Sequence, residues 1–248
     1  MQVANMTWQE YEKEVPNRVI LLPVGSLEQH GPHLPLSVDI VIPTNFARMV
    51  DEEVGCVVLP TIAYGYKSQP TSGGGQLFPG TTSLDANTLI NLVLDILRET
   101  YRHGGRKFVL INGHYENEAF IIEAVDLFLR SAQDVKILIL SWWNLVSDDM
   151  VDYLFEGAGF PGWDTEHAAI TETSLMLYFA PELVREDAII DDQGDWKPAY
   201  AIFPPPSNII PKSGVLYKAT YGSKEKGEKL AKHVAEKCIS IIKEEFQI

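Results

Sequence analysis

Short apolar runs alternate with helical segments along most of this chain, and that alternation limits the possible folds more than any other feature. Four runs, bounded by turn residues, are typical of buried strands. They are Arg18–Val24 (RVILLPV), Cys56–Ile62, Lys107–Ile111 and Val135–Leu140. Because helices join parallel strands across the faces of a sheet, this order predicts a three-layer α/β/α fold with a mostly parallel central sheet. The 248 residues fit one large domain, 1–248.

Helical periodicity fills most of the remaining sequence. The predicted helices are a segment after Pro43, Asp85–His103, Glu118–Arg130, Glu166–Phe179 and Lys224–Phe246. The glycine-rich stretch Ala63–Leu84 is too long for a simple connection, and the proline-rich Asp187–Ala219 suggests an extended surface segment. In parallel sheets the ligand binds beyond the carboxyl ends of the strands. The segments just after Val24, Ile62, Ile111 and Leu140 are therefore expected to hold functional residues.

The composition excludes several classes of protein. With 34 acidic and 20 basic residues, the net charge of -14 argues against nucleic acid as a partner. No apolar run reaches 18 residues and no leader segment is recognisable, which predicts a cytoplasmic protein without membrane contact. Cys56 and Cys238 lack the spacing of a redox or zinc motif and are predicted to be small buried side chains. We also expect Trp8 and Trp196 to belong to the core.

Two of the loops that follow predicted strands carry a carboxylate and an imidazole two residues apart. They are Glu28-Gln29-His30 after the first strand and His114-Tyr115-Glu116 after the third, and Asp39 follows closely. In extended backbone such pairs point to the same side, so each loop can offer an oxygen and a nitrogen ligand. Mixed ligands of this kind suit zinc or manganese, and two such ions need a bridging carboxylate and a bridging hydroxide. Spacing alone leaves open that these are hydrogen-bonded loop residues and helix caps.

Longer motifs around these residues resemble a known family. They are LLPVGSLEQHGPHLPLSVDIVIPT, YGYKSQPTSGGGQLFPGTTSLD, INGHYENEAF and GWDTEHAAITETSLML. Together they resemble the creatininase (creatinine amidohydrolase) family from about Leu21 to Leu183, with a weaker match in the last third of the chain. The stretches NGHYEN and the tryptophan before D-x-E-H resemble creatininase itself.

The resemblance implies a site for two divalent ions, Zn²⁺ or Mn²⁺, in each subunit of a homohexamer. Glu28, Asp39 and His114 would hold one ion, and His30, Asp39 and Glu116 would hold the other, so that Asp39 bridges. The family pattern does not use His33 as a ligand, and we expect it to have a structural role in its loop.

The resemblance also implies the reaction, which interconverts creatinine and creatine by attack of a metal-bridging hydroxide on the ring carbonyl. His167 would be the proton donor, although a core histidine at a helix start is the alternative from the residues alone. The implied substrate contacts are Ser72, Tyr115, Trp143, Trp163 and Asp164. For Glu166 and Glu172 three roles stay open: orienting His167, capping a helix, or lying on the surface.

Other functions are weighed against this one. Relatives acting on formylamino-pyrimidines or peptides share the scaffold, but a phosphorylated substrate needs a basic cluster, and the pocket loops carry only Lys67. A non-catalytic metal-binding or assembly protein would be expected to lose a ligand or the proton donor, and none is lost here. A serine nucleophile is unsupported, because no G-x-S-x-G motif occurs.

Overall fold

A parallel sheet forms the centre of the molecule in a computed structural model of the chain, which describes residues 1–193, 199–206 and 208–248. Within these ranges the sheet has four strands in the order β2-β1-β3-β4. They are β1 (Val19–Val24), β2 (Val57–Val58), β3 (Lys107–Asn112) and β4 (Lys136–Ser141). Every pairing is parallel. The predicted α/β class with a parallel central sheet is confirmed.

Helices cover both faces of this sheet. Over the described ranges they are α1 (Trp8–Glu14), α2 (Val38–Val54), α3 (Ala86–Arg102), α4 (Glu118–Leu129), α5 (Asp148–Leu154), α6 (Ile170–Phe179) and α7 (Lys224–Phe246). Helices α2, α6 and α7 pack together on one face, and α3 packs with α4 on the other. This arrangement is the predicted three-layer architecture; α1 and α5 were not predicted.

The strands alternate side chains between two apolar layers. Leu21 and Val109 point into the core beneath α2, α6 and α7, whereas Ile20, Phe108 and Leu110 point into the core beneath α3 and α4. Because both faces of β1 and β3 are buried, these strands are almost continuously apolar, which is why they could be recognised in the sequence. The parallel register aligns the carboxyl ends of β1, β3 and β4, so the loops that follow them share one edge.

Three element boundaries differ from the predictions for local reasons. Strand β2 is short because Pro60 offers no N–H to the ladder, and Ile62 returns to the sheet only as an isolated bridge to Val24. Helix α2 starts before Pro43, which removes only the helical hydrogen bond to the Asp39 carbonyl. Helix α6 starts at Ile170 because Ala168 has a left-handed backbone (φ 52°) that no α-helix can include.

The predictions for the other structural residues have mixed outcomes. Trp8 was expected in the core but is 71% exposed on α1, a helix with no buried residue, so that prediction is wrong. Trp196 lies outside the described residues. Cys56 and Cys238 are free and buried, as predicted, and burial raises the pKa of each thiol to about 12. Among the described residues, no helix combines the length and apolar character that a membrane span requires.

Candidate metal centre

The shared edge of the sheet brings together four of the five predicted ligands. Glu28 and His30 lie in the loop after β1, His114 lies directly after β3, and Asp39 lies in the first turn of α2. All four are almost completely buried. The start of α2 can approach β3 because residue 113 is glycine, where a Cβ would lie 2.6 Å from the Asp39 carbonyl oxygen. The fold thus buries carboxylates beside imidazoles, and the negative charge of the carboxylates must be compensated by a positive charge nearby.

The first cluster joins His114 to two carboxylates. Its Nδ1 lies 3.0 Å from Asp39 Oδ2 and 3.2 Å from Glu28 Oε2. Its other ring nitrogen, Nε2, lies 2.8 Å from the carbonyl oxygen of Tyr66. When Nε2–H donates to that carbonyl, the Nδ1 lone pair faces the two carboxylates. Histidines that bind metal ions are commonly oriented in this way by an outer hydrogen bond.

The second cluster repeats the pattern around His30. Its Nε2 lies 3.2 Å from Asp39 Oδ1 and 3.5 Å from Glu172 Oε1. Its Nδ1 lies 3.1 Å from the main-chain oxygen of Glu28, to which it can donate. Asp39 therefore turns one oxygen toward each imidazole. This is the geometry that a carboxylate bridging two cations needs.

The donor set fits metal ions on electrostatic grounds. Burial alone would lower the pKa of His30 and of His114, but the neighbouring carboxylates hold both values well above the ordinary range. The same interactions hold the pKa of Asp39 below its usual range despite burial. Glu28 Oε1, His30 Nε2 and Asp39 Oδ2 have no hydrogen-bond partner among the residues that the structure describes. A cation between these atoms would compensate the carboxylates, and mixed nitrogen and oxygen ligands suit Zn²⁺ or Mn²⁺.

Glu116 lies on the other side of the His114 ring. Its Oε2 is 3.5 Å from His114 Nε2, the nitrogen that faces away from Asp39. Its Oε1 accepts hydrogen bonds from the Gln69 main-chain N–H (3.0 Å) and from the Ser72 hydroxyl. The prediction assumed extended backbone, but Tyr115–Asn117 form a 3₁₀ turn, in which side chains two residues apart point in different directions. The structure does not bring Glu116 to His30 and Asp39.

Glu172 lies beside His30 and Asp39, where Glu116 was predicted. It lies in α6, where it is 8% exposed, and its Oε2 accepts a hydrogen bond from the Ala168 N–H at 2.6 Å. Its Oε1 is left to face His30. The sequence carried a signal for this residue, because α6 (ITETSLMLYF) is too apolar to face water, and a carboxylate within a buried helix requires a partner.

Glu166 has a different role. Its Oε1 accepts a hydrogen bond from the Thr171 N–H at 2.8 Å, and its Oε2 accepts one from the Thr171 hydroxyl. It thereby satisfies an N–H in the first turn of α6. Burial, together with the charge of Glu172, raises the pKa of Glu166 to about 8. The two glutamates that the sequence left open are thus separated into a helix cap and a member of the cluster.

The remaining predicted site residues meet at one cavity over the two clusters, whose free space, including its opening to solvent, is about 460 Å³. Its lining includes Ser72, Tyr115, Trp143, Trp163, Asp164 and His167, together with Trp142. Trp142 and Trp163 are 5.8 Å apart between ring centroids, and Tyr115 and Trp143 are 5.5 Å apart. His33 is not in the lining; its Nε2 lies 2.8 Å from the Thr173 hydroxyl, in keeping with the structural role expected for it.

The glycine loop also reaches the site, and this yields a first prediction. A Cβ on Gly73 would lie 2.5 Å from Glu28 Oε1. We expect Gly73→Ala to displace Glu28 and to weaken metal binding by about 10-fold or more. The measurement is metal content after dialysis against graded chelator concentrations.

The matched control for this prediction is Gly157→Ala. There the added methyl group meets only Tyr221, at 3.7 Å, although the left-handed backbone makes it costly. This variant should lose thermal stability and keep its metal affinity. Equal metal affinity in Gly73→Ala and the native protein would contradict the prediction.

Comparison with known proteins identifies the family of this chain. The family model for creatininase, described as creatinine amidohydrolase, matches residues 4–242. The creatinine amidohydrolase of Pseudomonas putida is 46% identical over 98% of this chain and 96% of its own length. A solved glutamate-to-glutamine mutant of creatininase complexed with creatine superposes with a TM-score of 0.95 at 45% identity, covering 99% of this chain and 98% of the other. A solved creatininase described as the Mn form has a TM-score of 0.94 at the same identity and coverage. The chain belongs to the creatininase (creatinine amidohydrolase) family.

Proposed function

We propose that this protein hydrolyses the ring amide of creatinine to give creatine, and catalyses the reverse reaction, with two divalent ions of zinc or manganese. The observation that carries the proposal is the position of Asp39, with one oxygen facing His114 and the other facing His30. The 46% identity to the creatinine amidohydrolase of Pseudomonas putida supports the substrate. Residues 1–248 would act as one catalytic domain, since the family match covers 4–242.

The proposed ligands are revised from the sequence-based set at one position. Glu28, Asp39 and His114 would hold one ion, and His30, Asp39 and Glu172 the other. When bound, such ions lower the pKa of water from about 16 toward about 7 and polarise a carbonyl group. A Mn form of a creatininase 45% identical to this chain supports the choice of metal. Glu116 would instead belong to the cavity wall, where it accepts the hydrogen bond of Ser72.

We assign the proton transfers to His167. Opening the ring requires that the leaving nitrogen acquire a proton, and water must lose one during attack on the carbonyl. The imidazole of His167 is 8% exposed and lines the cavity, and its ring centroid lies 4.4 Å from that of His30. An imidazole can both accept and donate a proton, so His167 can take the proton from water and deliver it to nitrogen.

The cavity walls match a flat, guanidine-like substrate. Trp143 and Trp163 would bound the ring, because indole faces favour planar and cationic groups. Ser72, Tyr115 and Asp164 would provide the polar contacts. No lysine or arginine is among the described residues that line the cavity, and several carboxylates are. That charge disfavours the alternative of a phosphorylated pyrimidine substrate.

Metal removal tests this proposal. We expect the purified protein to open the creatinine ring, to lose that activity after EDTA treatment and dialysis, and to regain it with Zn²⁺ or Mn²⁺. The measurement is creatine formation at each stage, with metal content determined in parallel.

Mg²⁺ and Ca²⁺ are the control ions, since both prefer all-oxygen sites and should restore little. Peptide and formylamino-pyrimidine substrates, assayed beside creatinine, cover the alternatives within the family. Ring opening that survives chelation, or no ring opening with either Zn²⁺ or Mn²⁺, would overturn the assignment.

We further propose that the protein is a cytoplasmic homohexamer. Exposed aromatic side chains, including Trp8 at 71% and Phe203 at 72% exposure, leave apolar surface that an assembly would cover. Light scattering should report six chains per particle, and fractionation of the cell should recover the protein with the cytosol. A monodisperse monomer would contradict the assembly.

A further inference from the structure

A glutamine lies between two of the proposed metal ligands, and its side-chain amide is fully engaged. Gln29 is 5% exposed. Its Oε1 accepts a hydrogen bond from the Gly31 N–H at 2.9 Å. Its Nε2 donates to the Gly73 carbonyl at 2.9 Å and to the Gly214 carbonyl at 3.0 Å. An amide has two N–H hydrogens, so these contacts use both and also determine which end of the amide is oxygen.

The imidazole of His167 meets this residue at a single nitrogen. His167 Nε2 lies 2.9 Å from the main-chain oxygen of Gln29 and 2.9 Å from its Nε2. If His167 Nε2 carried a lone pair, it would face the carbonyl oxygen, acceptor against acceptor, and both amide hydrogens are already used. If it carries a hydrogen, it donates to that carbonyl, and the two amide hydrogens of Gln29 remain with the carbonyls of Gly73 and Gly214. The hydrogen-bond network therefore assigns the proton to Nε2 and the lone pair to Nδ1.

We infer that Gln29 is a positioning residue that holds His167 in its Nε2–H tautomer, so that Nδ1 is the atom that exchanges protons with the substrate. This inference rests on the proposed function. It assigns a role to a residue that neither binds metal nor contacts substrate in the scheme above. The main-chain carbonyl of Gln29 does for His167 what a buried carboxylate does for the histidine of a serine protease triad.

The contacts of Gln29 also join the parts of the chain that form the cavity. Its main-chain N–H donates to the Thr81 hydroxyl at 3.0 Å, and its side chain binds the Gly73 and Gly214 loops. The segment after Gly214 is connected to the histidine itself, because the Leu216 N–H donates to the His167 carbonyl at 3.2 Å. The side chain thus fixes the position of its own carbonyl relative to His167. Removing the amide should release that carbonyl without removing a metal ligand.

The direct test is Gln29→Met, which keeps the length and volume of the side chain and removes both donors and the acceptor. We expect kcat for creatinine to fall about 10- to 100-fold, as for a misaligned acid–base group. KM and the content of two ions per chain should stay within about 2-fold of the native values. The control is Gln76→Met, the same substitution at an exposed residue whose side chain donates to the Ser83 hydroxyl at 2.8 Å, and it should behave as the native protein.

A double-mutant cycle separates positioning from general damage. If Gln29 acts through His167, adding Gln29→Met to His167→Ala should cost less than about 2-fold more in kcat, since the group that it positions is gone. An equal loss in both backgrounds would show that Gln29 acts independently of His167, and would overturn the inference. An unchanged kcat in Gln29→Met alone would do the same.

A spectroscopic measurement requires no folded variant of Gln29. In Zn-loaded protein labelled with ¹⁵N-histidine, solid-state NMR distinguishes protonated from unprotonated ring nitrogens, and His167→Ala identifies the signals. We expect Nε2 of His167 to be protonated and Nδ1 bare; the opposite tautomer would overturn the inference. A native protein that does not open the creatinine ring would contradict the proposed function. An active protein with the opposite His167 tautomer would contradict only the role of Gln29.

Discussion

Glu172→Gln is expected to leave one metal ion per chain and to lower kcat for creatinine by at least about 100-fold. The substitution keeps the size of the side chain but replaces a charged oxygen with a neutral amide, which is a far weaker ligand. Oε1 of Glu172 lies 3.5 Å from Nε2 of His30, the ring nitrogen that also faces Asp39. Without it, His30 and Asp39 would supply the only remaining ligands of that ion. Metal content after dialysis and steady-state kinetics measure the two effects.

Glu116→Gln is the matched control, since it makes the same chemical change at a glutamate of the same cavity. Oε1 of Glu116 is already bound by Gln69 and Ser72, and its Oε2 faces the ring nitrogen of His114 that is turned from Asp39. We expect this variant to keep two ions, whatever its effect on turnover. Loss of an ion from Glu116→Gln together with two ions in Glu172→Gln would restore the ligand set implied by the sequence resemblance.

The contrast between these two glutamates shows how far sequence reasoning reaches. Glu28 and His30 could be paired from the sequence because the loop after a buried strand continues in a non-helical path. The same rule failed at Glu116, where the chain turns into a 3₁₀ helix immediately after His114. The rule that side chains two residues apart share a side holds only in extended backbone, and it does not predict where a 3₁₀ turn begins. Glu172 lies far along the chain, and the packing of α6 beside α2 brings it to His30 and Asp39.

For the fold, too, local patterns could be predicted from the sequence and tertiary contacts could not. Strands β1 and β3 were recognisable because burial on both faces makes them almost continuously apolar, and helix α7 has the predicted bounds, Lys224–Phe246. Helix α6 was predicted to start at Glu166, since the residues from there are compatible with a helix. The actual start depends on the left-handed Ala168, whose N–H is held by Glu172. That is a tertiary contact, and local propensity does not contain it.

His167→Ala is expected to lower kcat by about 10²- to 10⁴-fold while both ions remain bound. None of the proposed ligands is removed, and His167 is held by the Gln29 carbonyl rather than by a carboxylate of either cluster. KM should change little, because a group that moves protons acts mainly in the transition state. The measurement is kcat and KM with metal content determined on the same samples. His103→Ala, at the exposed end of α3, is the control histidine and should show native turnover.

The reverse reaction makes this prediction sharper. A catalyst cannot change the equilibrium between creatinine and creatine, so the loss in kcat/KM must be the same in both directions. If His167 serves both steps, it takes a proton from water and gives it to nitrogen during ring opening. During ring closure it takes the proton from nitrogen and returns it to the departing water. Loss of the imidazole should then slow chemistry both ways, with a rapid-quench measurement showing no burst of product in either. Near-native turnover in His167→Ala would show that another group carries the proton, and a large loss accompanied by a missing ion would make His167 a ligand rather than an acid–base group.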